Sequence, residues 1–169
     1  LDSRCAGAIV KACNEVMAGI HNGEFVTDAL QSGAGVSIHM NANEVITNRA
    51  LEILGRKKGD HGFLHSHDHV NMSQSSNDVI PTAIHLAAAL ALHNTLLPAL
   101  VHLADTLRIK ATSRATIVKT GRTHLMDAMP ITLGQELSGW EAQISSGIAR
   151  IESVVPRLHL LPQGGTAVG

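Results

Sequence analysis

The sequence predicts an all-α protein organised as a bundle of long helices, and three observations lead there. Beyond Pro81, leucines recur at helical spacing, with Leu86, Leu90 and Leu97 in one row and Leu96, Leu100, Leu103 and Leu107 in another. Later, Leu133, Leu137, Trp140, Ile144, Ile148, Ile151, Val155 and Leu158 advance in alternating steps of four and three with one slip, which is the seam of a helix that packs on others at a shallow angle. With one Trp, two Phe and no Tyr, the core must be built from Leu, Ile, Val and Ala, as in helical bundles. Two long helices cannot bury such faces alone, so they need the rest of their own chain or partner chains.

The elements follow in order. Cys5, Ile9, Ala12, Val16 and Ile20 recur at helical spacing, and Gly19, Asn22 and Gly23 supply the stop. No start signal precedes this helix, so the chain reads as beginning inside a domain. Cys5 and Cys13 on one helix stand about 12 Å apart, which excludes a disulfide between them and leaves two buried thiols. Gln31 to Gly35 is a glycine-rich loop able to bring backbone N–H groups close to a ligand. Asn43 to Leu54 is helical, with Ile46, Ala50, Ile53 and Leu54 on one face and Gly55 as the stop. Arg56 to Asp60 reads as a solvated connection.

His61, His65, His67 and His69 lie close together around Asp68. A dedicated metal site needs three or four ligands on a rigid frame with supporting partners, and the spacing supplies no such frame, so no metal site is assigned. A helix then begins near Pro81, which suits a first helical turn, with Asn77 or Asp78 as its cap. Pro98 predicts a kink rather than a boundary. The second long helix begins near Ile131 to Leu133 and ends around Pro156 and Pro162, before a small-residue loop over 164–169. The domain division expected is 1–75 and 76–169.

With 13 Lys+Arg against 14 Asp+Glu, the net charge of −1 supplies no basic field for nucleic acid or an anionic membrane. No run of about 18 uninterrupted apolar residues marks a membrane span, and no signal-peptide pattern is present. A soluble intracellular protein is expected.

Chemistry concentrates in Val70 to Thr82. Ser75, Ser76 and Asn77 fall at the positive end of the helix, where hydroxyls, an amide and free backbone N–H groups can converge on a carboxylate. The same residues also suit an ordinary capped helix start, and on this stretch alone that reading is favoured.

SQSSND at 73–78 joins three further blocks: QSGAGVSIHMNANE at 31–44, GRTHLMDAMPITLGQE at 121–136 and GGTAVG at 164–169. Together, in this order and spacing, they closely resemble the class II fumarase and aspartase superfamily. The resemblance implies a fragment covering part of an N-terminal helical domain and the first helices of a central bundle shared within a homotetramer. It implies a lyase that hydrates fumarate reversibly to L-malate through a carboxylate-stabilised carbanion, without cofactor. Aspartate ammonia-lyase is the alternative, and a non-catalytic fragment of the same fold a further one. The double serine and Gly134 to Trp140 lean towards fumarases, whereas the DALQSGAG block at 28–35 leans towards aspartases.

By the same resemblance, His124 positions or activates the water. Ser75, Ser76, Asn77 and Thr123 bind substrate, and His65 with Asp68 marks a second carboxylate site in which Ser66 and His67 replace the family's Pro and Asn. Val36 stands where the family has a substrate-touching Thr, so Ser37 is the candidate replacement, and His39 stands where it has Asn. The family's proton-abstracting serine would lie past Gly169, so an internal portion of a longer polypeptide, or one piece of a split enzyme, is expected. A cytoplasmic location follows, or the mitochondrial matrix in a eukaryote.

Overall fold

The computed structural model describes residues 1–31, 33 and 35–166. Among the described residues there are five α-helices: α1 Ser3–Met17, α2 Val36–Ile53, α3 Ser76–Ala91, α4 Leu97–Ser113 and α5 Leu133–Leu158. Strands β1 Val118–Thr123 and β2 Met126–Thr132 form a two-stranded antiparallel sheet between α4 and α5. The chain divides into two units, residues 1–84 with 161–169, and residues 85–160.

In the first unit, α1 packs on α2 around Cys5, Ala8, Ala12, Ala50, Leu51 and Leu64, with Ile9, Ile46, Ile53 and Leu54 against them. Small residues on α1 let the two backbones approach, which is how a core with so few aromatics closes. Asp2 caps α1 by accepting from the Cys5 N–H at 2.7 Å, a start signal that the sequence reading overlooked. The helix ends at Met17, with Gly19 at φ +77°, so Ile20 falls beyond it and is exposed. Cys5 is buried and Cys13 is only half-buried, and both are free thiols. Arg49 of α2 grips Glu15 of α1 through two nitrogens at 2.5 and 3.2 Å, and His21 lies 2.9 Å from the same carboxylate. The Arg49 hydrogen bonds, followed by that of His21, hold the Glu15 carboxyl down at about 2.

Two helix starts differ from expectation. Helix α2 begins at Val36, seven residues before the predicted Asn43, because Gly35 caps it in the left-handed conformation and the Gln31 carboxamide accepts from the Ile38 N–H. Of the loop at 31–35, Ser32 and Ala34 lie outside the described residues. Helix α3 begins at Ser76, so Pro81 lies inside it rather than in its first turn, and neither Asn77 nor Asp78 is the cap. The cap is Ser75, whose carbonyl accepts from the Val79 N–H and whose hydroxyl accepts from the Asn77 N–H. Proline is tolerated there at the loss of one helical hydrogen bond, that to the Asn77 carbonyl.

In the second unit, the break expected at Pro98 takes the form of a π-helical segment, Leu92–Leu96, directly before α4. Helices α4 and α5 pack on each other, and the predicted α5 seam is half-buried at every position except Trp140, which is exposed. Thr132 and Gln135 form a reciprocal capping box at the start of α5. Gly134 sits so close to α4 that a Cβ there would lie 2.6 Å from the Ala111 carbonyl oxygen. Helix α5 runs through Pro156 to Leu158, so its end is later than Pro156.

The run Ser76–Ser113 is long and apolar enough to cross a membrane by length and composition, with a window of mean hydropathy 1.6 that is unburied within the chain. It is not an uninterrupted apolar run, because His85, His93 and Asn94 fall within it.

Candidate active site

Ser75, Ser76 and Asn77 stand where the sequence predicts, at the N-terminus of α3. Ser75 and Ser76 are half-buried and Asn77 is exposed. Two contacts lock this end to the N-terminus of α2. Gly35 packs on Ile80 so tightly that a Cβ would come within 2.6 Å of its Cγ2. The His39 Nδ1 lies 2.6 Å from the Ser76 Oγ. Two helix N-termini, each with a partial positive charge, are thereby brought together beside the same hydroxyl. Ser37 occupies the first turn of α2 and is exposed. Val36 precedes it and can donate nothing from its side chain.

His39 is 4% exposed and belongs to a buried polar stripe with Asn43 and Thr47 along α2. Burial pushes its imidazole below the ordinary histidine range, so it is neutral at pH 7. In the sequence this residue stands out only as a departure from the family's pattern, which has Asn here. The i, i+4, i+8 spacing of His39, Asn43 and Thr47 was the available signal, since the stripe runs on into the apolar Ala50 and Leu51 on the same buried face of the helix. Asp78, expected only as a helix cap, has a different role. Its buried carboxylate accepts from the Thr166 N–H at 2.6 Å, tying residues near the C-terminus to the start of α3.

A π-helical segment, Ser66–Val70, follows His65 and contains Asp68, with His65 Nδ1 and Asp68 Oδ2 3.5 Å apart. His67 also lies against Asp68, at 3.0 Å, and its hydrogen bond, with the nearby His65, holds the Asp68 carboxyl below the usual range. The histidine nitrogens of this segment are engaged locally: His65 Nδ1 accepts from the Asp68 N–H, and His69 Nδ1 from the His65 N–H. Among the described residues no group of three or more potential ligands converges on a metal position. A cleft of about 380 Å³ is lined by Asp68 and Ser75 together with Asn71 and Thr166.

Thr123 and His124 belong to the second unit. The expected GRTH loop is instead the end of the β1–β2 hairpin. Thr123 pairs with Met126, and His124 and Leu125 make the two-residue turn, with φ +50° and +60°. Positive φ at both central residues is the mark of a type I′ turn, which matches the twist of a hairpin and costs about 1 kcal/mol or more per non-glycine residue. Gly121 lies at the register irregularity, where a Cβ would stand 2.6 Å from the Met129 carbonyl oxygen. His124 projects from the exposed tip, and Leu125, Met126 and Met129 beside it are exposed too. Arg122 and Asp127 approach at 3.5 Å across the strands.

The profile of a family described as lyase matches residues 2–169. The class II fumarate hydratase of Halobacterium salinarum is 54% identical over 169 residues, covering all of this chain and 36% of that protein. The mitochondrial fumarate hydratase of Rattus norvegicus is 50% identical over the same length, which is 33% of its own. Among solved structures, the class II fumarase of Schistosoma mansoni superimposes with a TM-score of 0.89 at 43% identity, over 100% of this chain and 35% of that one. The chain thus spans about a third of the length of these relatives. By the reach of the family profile and the shared helical fold, the chain belongs to this lyase family, with class II fumarate hydratases among its relatives.

Proposed function

We propose that the protein to which these residues belong is a fumarate hydratase, interconverting fumarate and L-malate. The observation that carries this reading is the meeting of two helix N-termini at Ser75, Ser76 and Asn77, in a chain whose relatives are named as fumarate hydratases. Fumarate and malate are dianions. Removing a proton from the carbon beside a carboxylate pushes further negative charge onto that carboxylate, and preorganised donors stabilise it; removing one such donor typically costs about 3 kcal/mol.

In this mechanism Ser75, Ser76 and Asn77 hold the carboxylate that gains charge, assisted by the positive ends of α2 and α3. Ser37 supplies a hydroxyl at the first turn of α2, where Val36 cannot. Thr123 and His124 serve the other carboxylate or the water. An imidazole can accept a proton through one ring nitrogen and donate through the other, which suits it to move a proton to or from that water. His65 and Asp68 form a second carboxylate site without catalytic duty.

The complete site is composite, with the chain entering a homotetramer in which the apolar length of Ser76–Ser113 is covered by neighbouring helices rather than by lipid. Neither nucleic acid nor membrane is a partner in this reading, and no cofactor takes part. The location is cytoplasmic, or the mitochondrial matrix in a eukaryote.

The test is a parallel ultraviolet assay for fumarate on the complete protein supplied with L-malate or with L-aspartate. Fumarate from malate alone is the expected result. Fumarate from aspartate alone would make the protein an ammonia-lyase, and silence with both from an intact assembly would support a non-catalytic member of the fold.

A further inference from the structure

Of the residues around Ser76, one has a geometry that neither the motif nor the relatives' names assign. His39 is buried, stands one helical turn into α2 and places Nδ1 2.6 Å from the Ser76 hydroxyl oxygen across the α2–α3 junction. Gly35 and Ile80 pack closely beside this junction. A hydroxyl has one hydrogen to donate, and its direction depends on which way this bond runs. If Ser76 donates to Nδ1, only its lone pairs remain for a ligand, and lone pairs repel a carboxylate. If Nδ1–H donates to Ser76 Oγ, the hydroxyl hydrogen is free to point at an anion, and the bond it accepts strengthens the one it gives.

We infer that His39 is a positioning residue that donates Nδ1–H to Ser76 and so aims the Ser76 hydroxyl at the substrate carboxylate. This rests on the reading of Ser76 as a carboxylate donor. The imidazole is buried and neutral, so it acts through its tautomer rather than as an added charge. An arriving dianion selects the Nδ1–H tautomer, because only that form leaves a donor facing it.

The inference separates three variants of the complete enzyme. His39→Leu fills the space with no donor, and His39→Asn keeps an N–H at about the same distance from the backbone. Ser76→Ala removes the group being aimed. His39→Leu is expected to lower kcat/KM at least tenfold, and His39→Asn to stay within about threefold of the parent, a rescue that mere space-filling would not produce. In a Ser76→Ala background, His39→Leu should cost less than twofold more, because nothing is left to aim. If the Leu variant does not assemble, His39→Met takes its place in the same cycle.

Multiplying effects of His39→Leu and Ser76→Ala would overturn the inference while leaving Ser76 as a carboxylate donor. Equal loss in the Leu and Asn variants would also overturn it. No loss with Ser76→Ala would overturn both this inference and the reading beneath it, which keeps the two failures apart.

Discussion

The start of α3 and the tip of the β1–β2 hairpin carry the two halves of the proposed chemistry, and they are built in opposite ways. Ser76 is half-buried and fixed by His39, with Gly35 pressed on Ile80 and Asp78 anchored to Thr166. Its geometry is set by contacts inside its own unit. His124 sits on an exposed two-residue turn at positive φ, flanked by fully exposed Leu125 and by Met126 and Met129. Its backbone is specified, but its surroundings are not supplied by the unit that holds it. In the proposed reading, then, the anion-holding donors are preformed by contacts within their own unit, whereas the acid–base group stands on an exposed turn.

The largest expected effect breaks the comparison at the hairpin. His124→Asn removes an exposed side chain with no packing duty, so we expect unchanged folding and a fall in turnover of at least tenfold, in line with the loss of about 10²-fold or more typical of a general acid–base group. Steady-state rates and a melting curve on the complete enzyme check this, and unchanged turnover would remove His124 from the mechanism. Ser76→Ala should lower kcat by up to about 100-fold, with smaller change in KM, as expected for a donor used most in the transition state. A variant altered only in thermal stability would reduce Ser76 to a helix-start residue.

Gly35→Ala sharpens the other side of the comparison. It places a Cβ 2.6 Å from Ile80 at a residue with φ +77°, for an expected cost of about 2 kcal/mol or more. Because the junction it wedges open holds Ser76, activity should fall along with the denaturation midpoint. Activity loss without destabilisation, or the reverse, would show that the junction and the site are not coupled. The smallest effect belongs to Leu125→Gly, which should relieve turn strain and raise stability by about 1 kcal/mol, read as a higher urea midpoint. A lower midpoint would mean that the exposed leucine is held by contacts in the assembly.

Much of this was legible in the residues. Apolar spacing located the long helices, and the α5 seam was read correctly except at Trp140, which faces out. The cap chemistry was less legible, because Ser75, Asn77 and Asp78 are all competent caps and only the backbone register chooses among them. Pro81 pulled the predicted start inward, since a proline's preference for the first turn is strong but not binding. The hairpin was hidden because neither His124 nor Leu125 is a turn residue of the Asn-Gly kind, and tertiary context overrides that preference. The His39–Ser76 pairing joins residues 37 positions apart, a distance over which local pattern carries no information.

The measurement closest to the central claim is a crystal structure of the complete protein with a non-reacting dicarboxylate bound. The account predicts one carboxylate within hydrogen-bond distance, about 3 Å, of the Ser75 and Ser76 hydroxyls and the Asn77 amide, with His39 still on Ser76. A dicarboxylate held elsewhere in a fully occupied site, with Ser76 donating to His39 and facing no ligand, would contradict it.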